Sequence, residues 1–429
     1  MGTPGLTLPR GRRLIADSVA SLLDQGMLSL LNLAVGLLLI RLTTKDSYGL
    51  YAQLYVGGVF AATVLDAVVT GPLTTVASGL PLQERHAMVL RLAHYQRRLA
   101  AALALLCGTV AAAVVAWVGA DVHPLLLGLT FAAYVYGAAL REYARSVSFM
   151  EGRPLAVLRM DGWYTLAVAA GLGALARFHA LTLPAVMLML AVANLVALRR
   201  QDLWPAAPQD RAAYRAAVSE VWRRGRWSLP GAMVAWATNY SYLYLAALWL
   251  GAAASADLNA SRLLLMPISL CVLAWSRVAR PHAVRLLAEQ RHAELGRYTI
   301  ASVIGVELLT FGYVGVLWLA LPWLEAHVLG AKYAGLETLV LAWGGYFALN
   351  AARWIGSALL SSGNRYRMLL VSGVLCLVAM LAASAYAIPR WGVWGAVLAL
   401  AVVEVLDLLL IWCILLPRAR RDLRPEGAS

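Results

Sequence analysis

Apolar runs of roughly 20 residues recur about twelve times between Leu14 and Leu416 of a 429-residue chain. Each is long enough to cross a hydrocarbon core about 30 Å thick as a helix. Lipid offers the backbone no hydrogen bonds, so runs of this kind fold as helices that satisfy their own N–H and C=O groups. The chain is 61% hydrophobic and 14% charged, with mean hydropathy +0.70. Soluble domains are about 25% charged, so a soluble fold is excluded. Twelve helices of about 21 residues consume roughly 250 positions, and the short connections that remain hold no extramembrane domain of about 100 residues. The predicted class is an all-α polytopic membrane protein.

The predicted spans are 15–40, 50–73, 99–119, 124–140, 157–176 and 180–198, then 227–250, 256–278, 298–321, 336–360, 368–388 and 391–416. The polar, basic stretch 199–226, with Pro205 and Pro208, separates them six and six. The expected organisation is an N-terminal six-helix bundle (1–198), a cytoplasmic basic linker (199–226), a C-terminal six-helix bundle (227–417) and a cytoplasmic tail (418–429). Two features point to parallel repeats. Leu42 and Pro72 take the places in spans one and two that Leu250 and Pro281 take in spans seven and eight. The stretches 83–98 and 283–298, one after each proline, are both basic, leucine-bearing and helix-compatible.

Thirty-six Lys and Arg face 22 Asp and Glu, a formal charge of +14. In a multi-pass chain such an excess records topology before it records nucleic acid. Alternate loops bear it out: one side carries Arg10, Arg85, Arg141, Arg145, Arg153, Arg223, Arg285, Arg297 and Arg418 among many others, the other only Arg41, Lys45, Arg177, Lys332 and Arg390. Both termini are therefore expected in the cytoplasm, and no nucleic-acid partner is called for. The first apolar run continues for about 26 residues, longer than the core of a signal peptide, and reads as a retained span.

No phosphate-binding GxxxxGK[ST] loop and no HExxH is present, and the seven histidines are scattered among loops. Cys107, Cys271, Cys376 and Cys413 lie in apolar runs without CxxC spacing and read as small hydrophobes. No ATPase or metallohydrolase reading survives, the chain is not expected to be an enzyme, and no metal or cofactor is called for beyond H⁺ or Na⁺ coupling. The informative residues are charges within spans, each costing about 2.5–3.5 kcal/mol at the bilayer centre. Arg262 in span eight and Arg353 in span ten would bind an anionic headgroup through the paired donors of the guanidinium, or snorkel to an interface. Asp24, Asp66, Glu404 and Asp407 would exchange H⁺ or bind Na⁺, or serve in structural ion pairs, as would Glu307. Glu404 and Asp407, three apart, share a helical face. The first half shows few mid-span cations.

Several segments resemble a family in order along nearly the whole chain: Asp24-Gln25 with Ser29, Asn32 and the stretch 38–42, then Tyr48-Gly49-Leu50-Tyr51, Glu151-Gly152-Arg153-Pro154 with Asp161, Gly330-Ala331-Lys332-Tyr333, Ser362-Gly363-Asn364 and Trp391-Gly392-Val393-Trp394-Gly395-Ala396. The pattern is similar to Wzx-like polysaccharide flippases of the multidrug/oligosaccharidyl-lipid/polysaccharide exporter (MOP) superfamily. That resemblance implies two six-helix bundles around a central V-shaped cavity, alternating access, and transfer of a polyprenyl-diphosphate-linked oligosaccharide to the outer leaflet of a bacterial cytoplasmic membrane. It implies cavity arginines that meet the diphosphate, here Arg262 and Arg353, and a polysaccharide polymerase and glycosyltransferases as partners. An ion-coupled drug or metabolite antiporter of the same superfamily, a membrane glycosyltransferase and a structural assembly partner are the competing readings.

Overall fold

A computed structural model describes residues 10–199, 210–333, 335–362 and 366–417. The first half comprises α1 (Arg10–Leu42), α2 (Lys45–Leu65), which runs through a π-helical turn at Asp66–Thr70 into α3 (Gly71–Ala77), α4 (Leu82–Val118), α5 (Pro124–Met150), α6 (Pro154–Arg177) and α7 (Leu183–Leu198). The second half comprises α8 (Arg211–Leu250), α9 (Ala252–Leu263), α10 (Met266–Ala288), α11 (His292–Leu324), α12 (Glu337–Ser362) and α13 (Tyr366–Leu409). α9 and α10 are two arms of one segment bent by 49°. No strand occurs among the described residues.

α13 is 44 residues long, about 66 Å if straight and roughly twice a hydrocarbon core. It does not run straight: Gly392, at φ 59° and ψ −138°, interrupts the helix. The backbone folds back so closely there that a Cβ on Gly395 would sit 2.1 Å from the Ala387 carbonyl oxygen. Ser372 and Asp407, on either side of the break, are hydrogen-bonded, so the two arms lie antiparallel. With that hairpin resolved, every one of the twelve predicted spans has its helical segment. By length and apolarity alone six segments qualify as spans among the described residues, and the bent α9–α10 pair makes a seventh; α7, with 16 residues, is simply short.

Large apolar side chains face outward throughout, among them Leu30, Trp117, Leu308 and Leu319. A water-soluble protein does not expose apolar surface on that scale; this is a multi-pass membrane protein.

On the basic side the helices run past the predicted span ends. α5 continues ten residues past the expected end at 140, and α4 takes in the whole stretch 83–98 as one rod with span three. The counterpart stretch 283–298 is broken between α10 and α11, where Gln290 adopts φ 55°, so the two stretches do not match as helices. In the linker, 211–226 is the start of α8, with Glu220 held below the usual carboxylate range by hydrogen bonds from Arg223 and Arg224. Pro205, Pro208, Gly363, Asn364 and the tail 418–429 lie outside the described residues.

The helices group into two compact units. Unit 1 takes the chain up to Val35 and Leu54–Met233; unit 2 takes Gly36–Gln53 and the chain from Val234. The boundaries between these units fall inside α1, α2 and α8. Residues 36–53 group with unit 2 because their polar side chains find partners there. Asn259 Nδ2 donates to the buried Tyr48 hydroxyl at 2.8 Å, Tyr244 donates to the Gln53 carbonyl at 2.8 Å, and Lys45 pairs with Asp257 at 2.7 Å. In unit 1, α4 and α5 meet backbone to backbone: a Cβ on Gly108 would lie 2.5 Å from the Gly128 carbonyl oxygen. Close approach of this kind stands in for the hydrophobic drive that lipid does not supply.

Candidate functional site

In unit 2 one of the two predicted anion-binding arginines, Arg353, and two of the four predicted coupling acids, Glu404 and Asp407, form one cluster. α12 presents Arg353, and the second arm of α13 presents Glu404 and Asp407 on a single face, as their spacing requires. Arg353 Nε donates to Glu404 Oε1, and its Nη1 lies 3.5 Å from Asp407 Oδ2. Asn350 Nδ2 donates to Glu404 Oε1 at 3.0 Å, and Ser372, on the first arm of α13, donates to Asp407 Oδ1. The three charged side chains are 17%, 9% and 17% exposed. Two carboxylates face one guanidinium, so the ionised cluster carries one uncompensated negative charge.

Arg262, near the bend between α9 and α10, has different company. Its Nη1 donates to the Tyr242 hydroxyl at 2.9 Å, and its guanidinium lies 5.6 Å from the ring centres of Tyr240 and Trp343. Trp343 is fully buried and is fixed by donating Nε1–H to Ser261 Oγ at 3.0 Å. Among the described residues no carboxylate lies within 4.0 Å of Arg262. Aromatic faces attract a cation but do not neutralise it, and the fork of donors remains largely free for an anion.

Unit 1 contains a third cluster, built on two arginines in the last turns of α5 beyond the predicted end of span four. Arg145 on α5 pairs with Asp161 on α6 (Nε to Oδ2, 2.6 Å), with Asp24 on α1 (Nη2 to Oδ2, 3.1 Å) and with Glu142 (2.8 Å). Arg141 reaches Asp161 at 3.3 Å and stacks 3.6 Å above the Tyr164 ring. Asp24 and Asp161 are 1% and 0% exposed. Ending span four at 140 assigns both arginines to a loop; α5 instead carries them onward as a helix. The available signal was their spacing of four, which places two cations on one face. In both halves the fourth span supplies an arginine held by two acids from other helices, Asp24 and Asp161 for Arg145 and Glu404 and Asp407 for Arg353.

Asp66 joins none of these clusters. It opens the π-helical turn at Asp66–Thr70, is exposed, and accepts a hydrogen bond from Thr70 at 2.6 Å. Glu307 on α11 keeps one carboxylate oxygen buried with no hydrogen-bond partner among the described residues.

No protein-family model and no curated protein matches the sequence. Solved structures do share the fold. The chain is similar to a multidrug-resistance MATE family transporter of the MOP superfamily in an inward-facing conformation, at TM-score 0.73 and 12% identity over 92% of this chain and 96% of that one. It is similar to the lipid II flippase MurJ at TM-score 0.69 and 10% identity, over 94% and 87%. It is also similar to a MOP superfamily transporter from Pyrococcus furiosus at TM-score 0.62 and 14% identity, over 98% of each. The fold is that of MOP-superfamily transporters.

Proposed function

We propose that this protein is an alternating-access transporter that moves a polyprenyl-diphosphate-linked oligosaccharide from the inner to the outer leaflet of a bacterial cytoplasmic membrane, with both termini in the cytoplasm. Arg262 carries the reading: an arginine in an aromatic cage with no neighbouring carboxylate is a standing positive charge within a membrane protein. Such a charge is retained at a cost of a few kcal/mol, and binding an anion recovers it. The guanidinium fork matches a diphosphate with paired donors. Arg353 lies inside an ion-pair cluster, so its role in binding the headgroup depends on release from Glu404 and Asp407. That same cluster supplies the site for H⁺ or Na⁺, and no nucleotide or cofactor is required. Glycosyltransferases and a polysaccharide polymerase would supply and consume the lipid-linked glycan.

A second reading, an ion-coupled drug or metabolite antiporter, rests on Asp66, an exposed mid-span carboxylate without a cationic partner among the described residues, which would meet a cationic solute. Reconstitution separates the two. In proteoliposomes carrying a fluorescent polyprenyl-diphosphate glycan, wild type should translocate it, Arg262→Ala should lose at least ten-fold in rate, and Arg262→Lys should recover part of that loss. Efflux of a cationic dye with no glycan translocation, sensitive to Asp66→Asn and indifferent to Arg262→Ala, would establish the antiporter instead.

A further inference from the structure

In unit 2, α10 and α11 run antiparallel, and an open groove of about 460 Å³ lies along them, lined by Cys271, Trp275, Tyr298, Ser302, Gly305 and Leu309 among others. Gly305 leaves real space: nothing lies within 4 Å of the position its Cβ would take. The flank of α11 beside the groove is apolar and outward-facing, with Ile300 60%, Ile304 54% and Leu308 69% exposed. On a membrane-spanning segment, the medium available to such a surface is hydrocarbon. From Tyr298 to Leu309 the groove follows α11 for about 16 Å, close to half of a core about 30 Å thick. Its length is that of a chain reaching through one leaflet.

One end of the groove is basic. The Tyr298 ring meets His282 edge-on, with ring centres 4.6 Å apart, and His282 Nδ1 lies 3.2 Å from Arg285. A small core of Ala283, Leu286 and Leu295, with Tyr298 packed on it, holds this end together. Arg285 is exposed and touches one carboxylate, Glu289, only at 3.8 Å; that carboxylate is already engaged by Arg291 at 2.9 Å. Arg297 is exposed, and no carboxylate lies within 4.0 Å of it among the described residues. An apolar groove one leaflet deep, ending at an aromatic side chain beside two under-compensated arginines, has the polarity of an anionic amphiphile.

We propose that this groove binds one acyl chain of an anionic phospholipid, with the headgroup phosphate at Arg285 and Arg297. The site needs only the membrane setting and is independent of the transported substrate. A polyprenyl chain much longer than a leaflet would overrun it.

Native mass spectrometry of the full chain released from nanodiscs tests this, using equal amounts of phosphatidylglycerol and phosphatidylcholine. Wild type should retain phosphatidylglycerol several-fold over phosphatidylcholine. The double variant Arg285→Ala/Arg297→Ala should lose that preference while still retaining lipid. Gly305→Leu should lower retention of both, and it should fold, because leucine enters open space and favours the helix over glycine. No headgroup preference in wild type, or equal retention by wild type and Gly305→Leu, would overturn the proposal. So would preferential retention of added polyprenyl diphosphate over phosphatidylglycerol, which would give the groove to the transported lipid.

Discussion

Arg145 Nε lies 2.6 Å from Asp161 Oδ2, joining the fourth and fifth spans of the first half across a region where Asp161 has no exposed surface. The pair is held from a third helix by Asp24, so α1, α5 and α6 share one electrostatic junction. Taking these groups out of water is expensive, and their mutual contacts return most of that cost only while the whole set is present.

Arg145→Ala should therefore destabilise strongly, by about 3–5 kcal/mol, because it leaves the buried Asp24 without a cation and Asp161 with Arg141 alone. The double change Arg145→Met/Asp24→Asn should recover much of the loss, since it removes the stranded carboxylate with its partner and leaves the Arg141–Asp161 pair in place. Thermal aggregation of detergent-solubilised protein measures both. If Arg145→Ala melted within a degree or two of wild type, the junction would be a solvated surface pair and its burial would have no energetic weight.

The charge asymmetry between alternate loops predicts sidedness. A reporter inserted in 199–226 should report cytoplasm, and one beside Lys332 should report the external face. Alkaline phosphatase and green fluorescent protein fusions check this in opposite senses, one active outside and the other fluorescent inside. A reversed result at either position would remove the assignment of Arg285 and Arg297 to the inner leaflet, together with the direction of transport.

The twelve segments were legible because an apolar run of membrane length admits one backbone solution. Their basic-side ends were not. Helices α4, α5 and α8 run on through arginine-rich sequence, since arginine is a good helix former and hydropathy ends a span where the lipid ends, not where the helix does. That error hid Arg141 and Arg145, while Asp24 and Asp161 stand 137 positions apart in the sequence and nothing local marks them as sharing a partner. By contrast Glu404 and Asp407 advertise their common face by a spacing of three. Their attachment to Arg353 was out of reach, because it depends on how α12 packs against the second arm of α13. The interleaving of 36–53 with unit 2 has the same origin: it is set by side-chain partners such as Tyr48 and Asn259 rather than by composition.

The Arg353 cluster makes the sharpest functional prediction. With Glu404 and Asp407 both ionised it carries one excess negative charge, and a proton or Na⁺ taken up there would free Arg353 from one of its two acids. Asp407→Asn removes the excess while leaving the Arg353–Glu404 pair in place, and the asparagine carbonyl can still accept from Ser372. This variant should translocate substrate without responding to an ion gradient. Arg353→Ala should impair transport severely, because it removes the cation and leaves two like charges together; Arg353→Lys should restore only part, as an ammonium keeps the charge but loses the paired geometry. In inverted vesicles loaded with lipid-linked glycan, collapsing the H⁺ and Na⁺ gradients separately should slow wild type in one case and Asp407→Asn in neither. A protein that transports only as its conformations exchange is biased by a ligand in proportion to that ligand's differential affinity for the two states; a cluster whose charge balance depends on one bound cation supplies such a difference. If wild type ignored both gradients, the excess carboxylate would be structural, and consumption of product at the outer face would provide the drive.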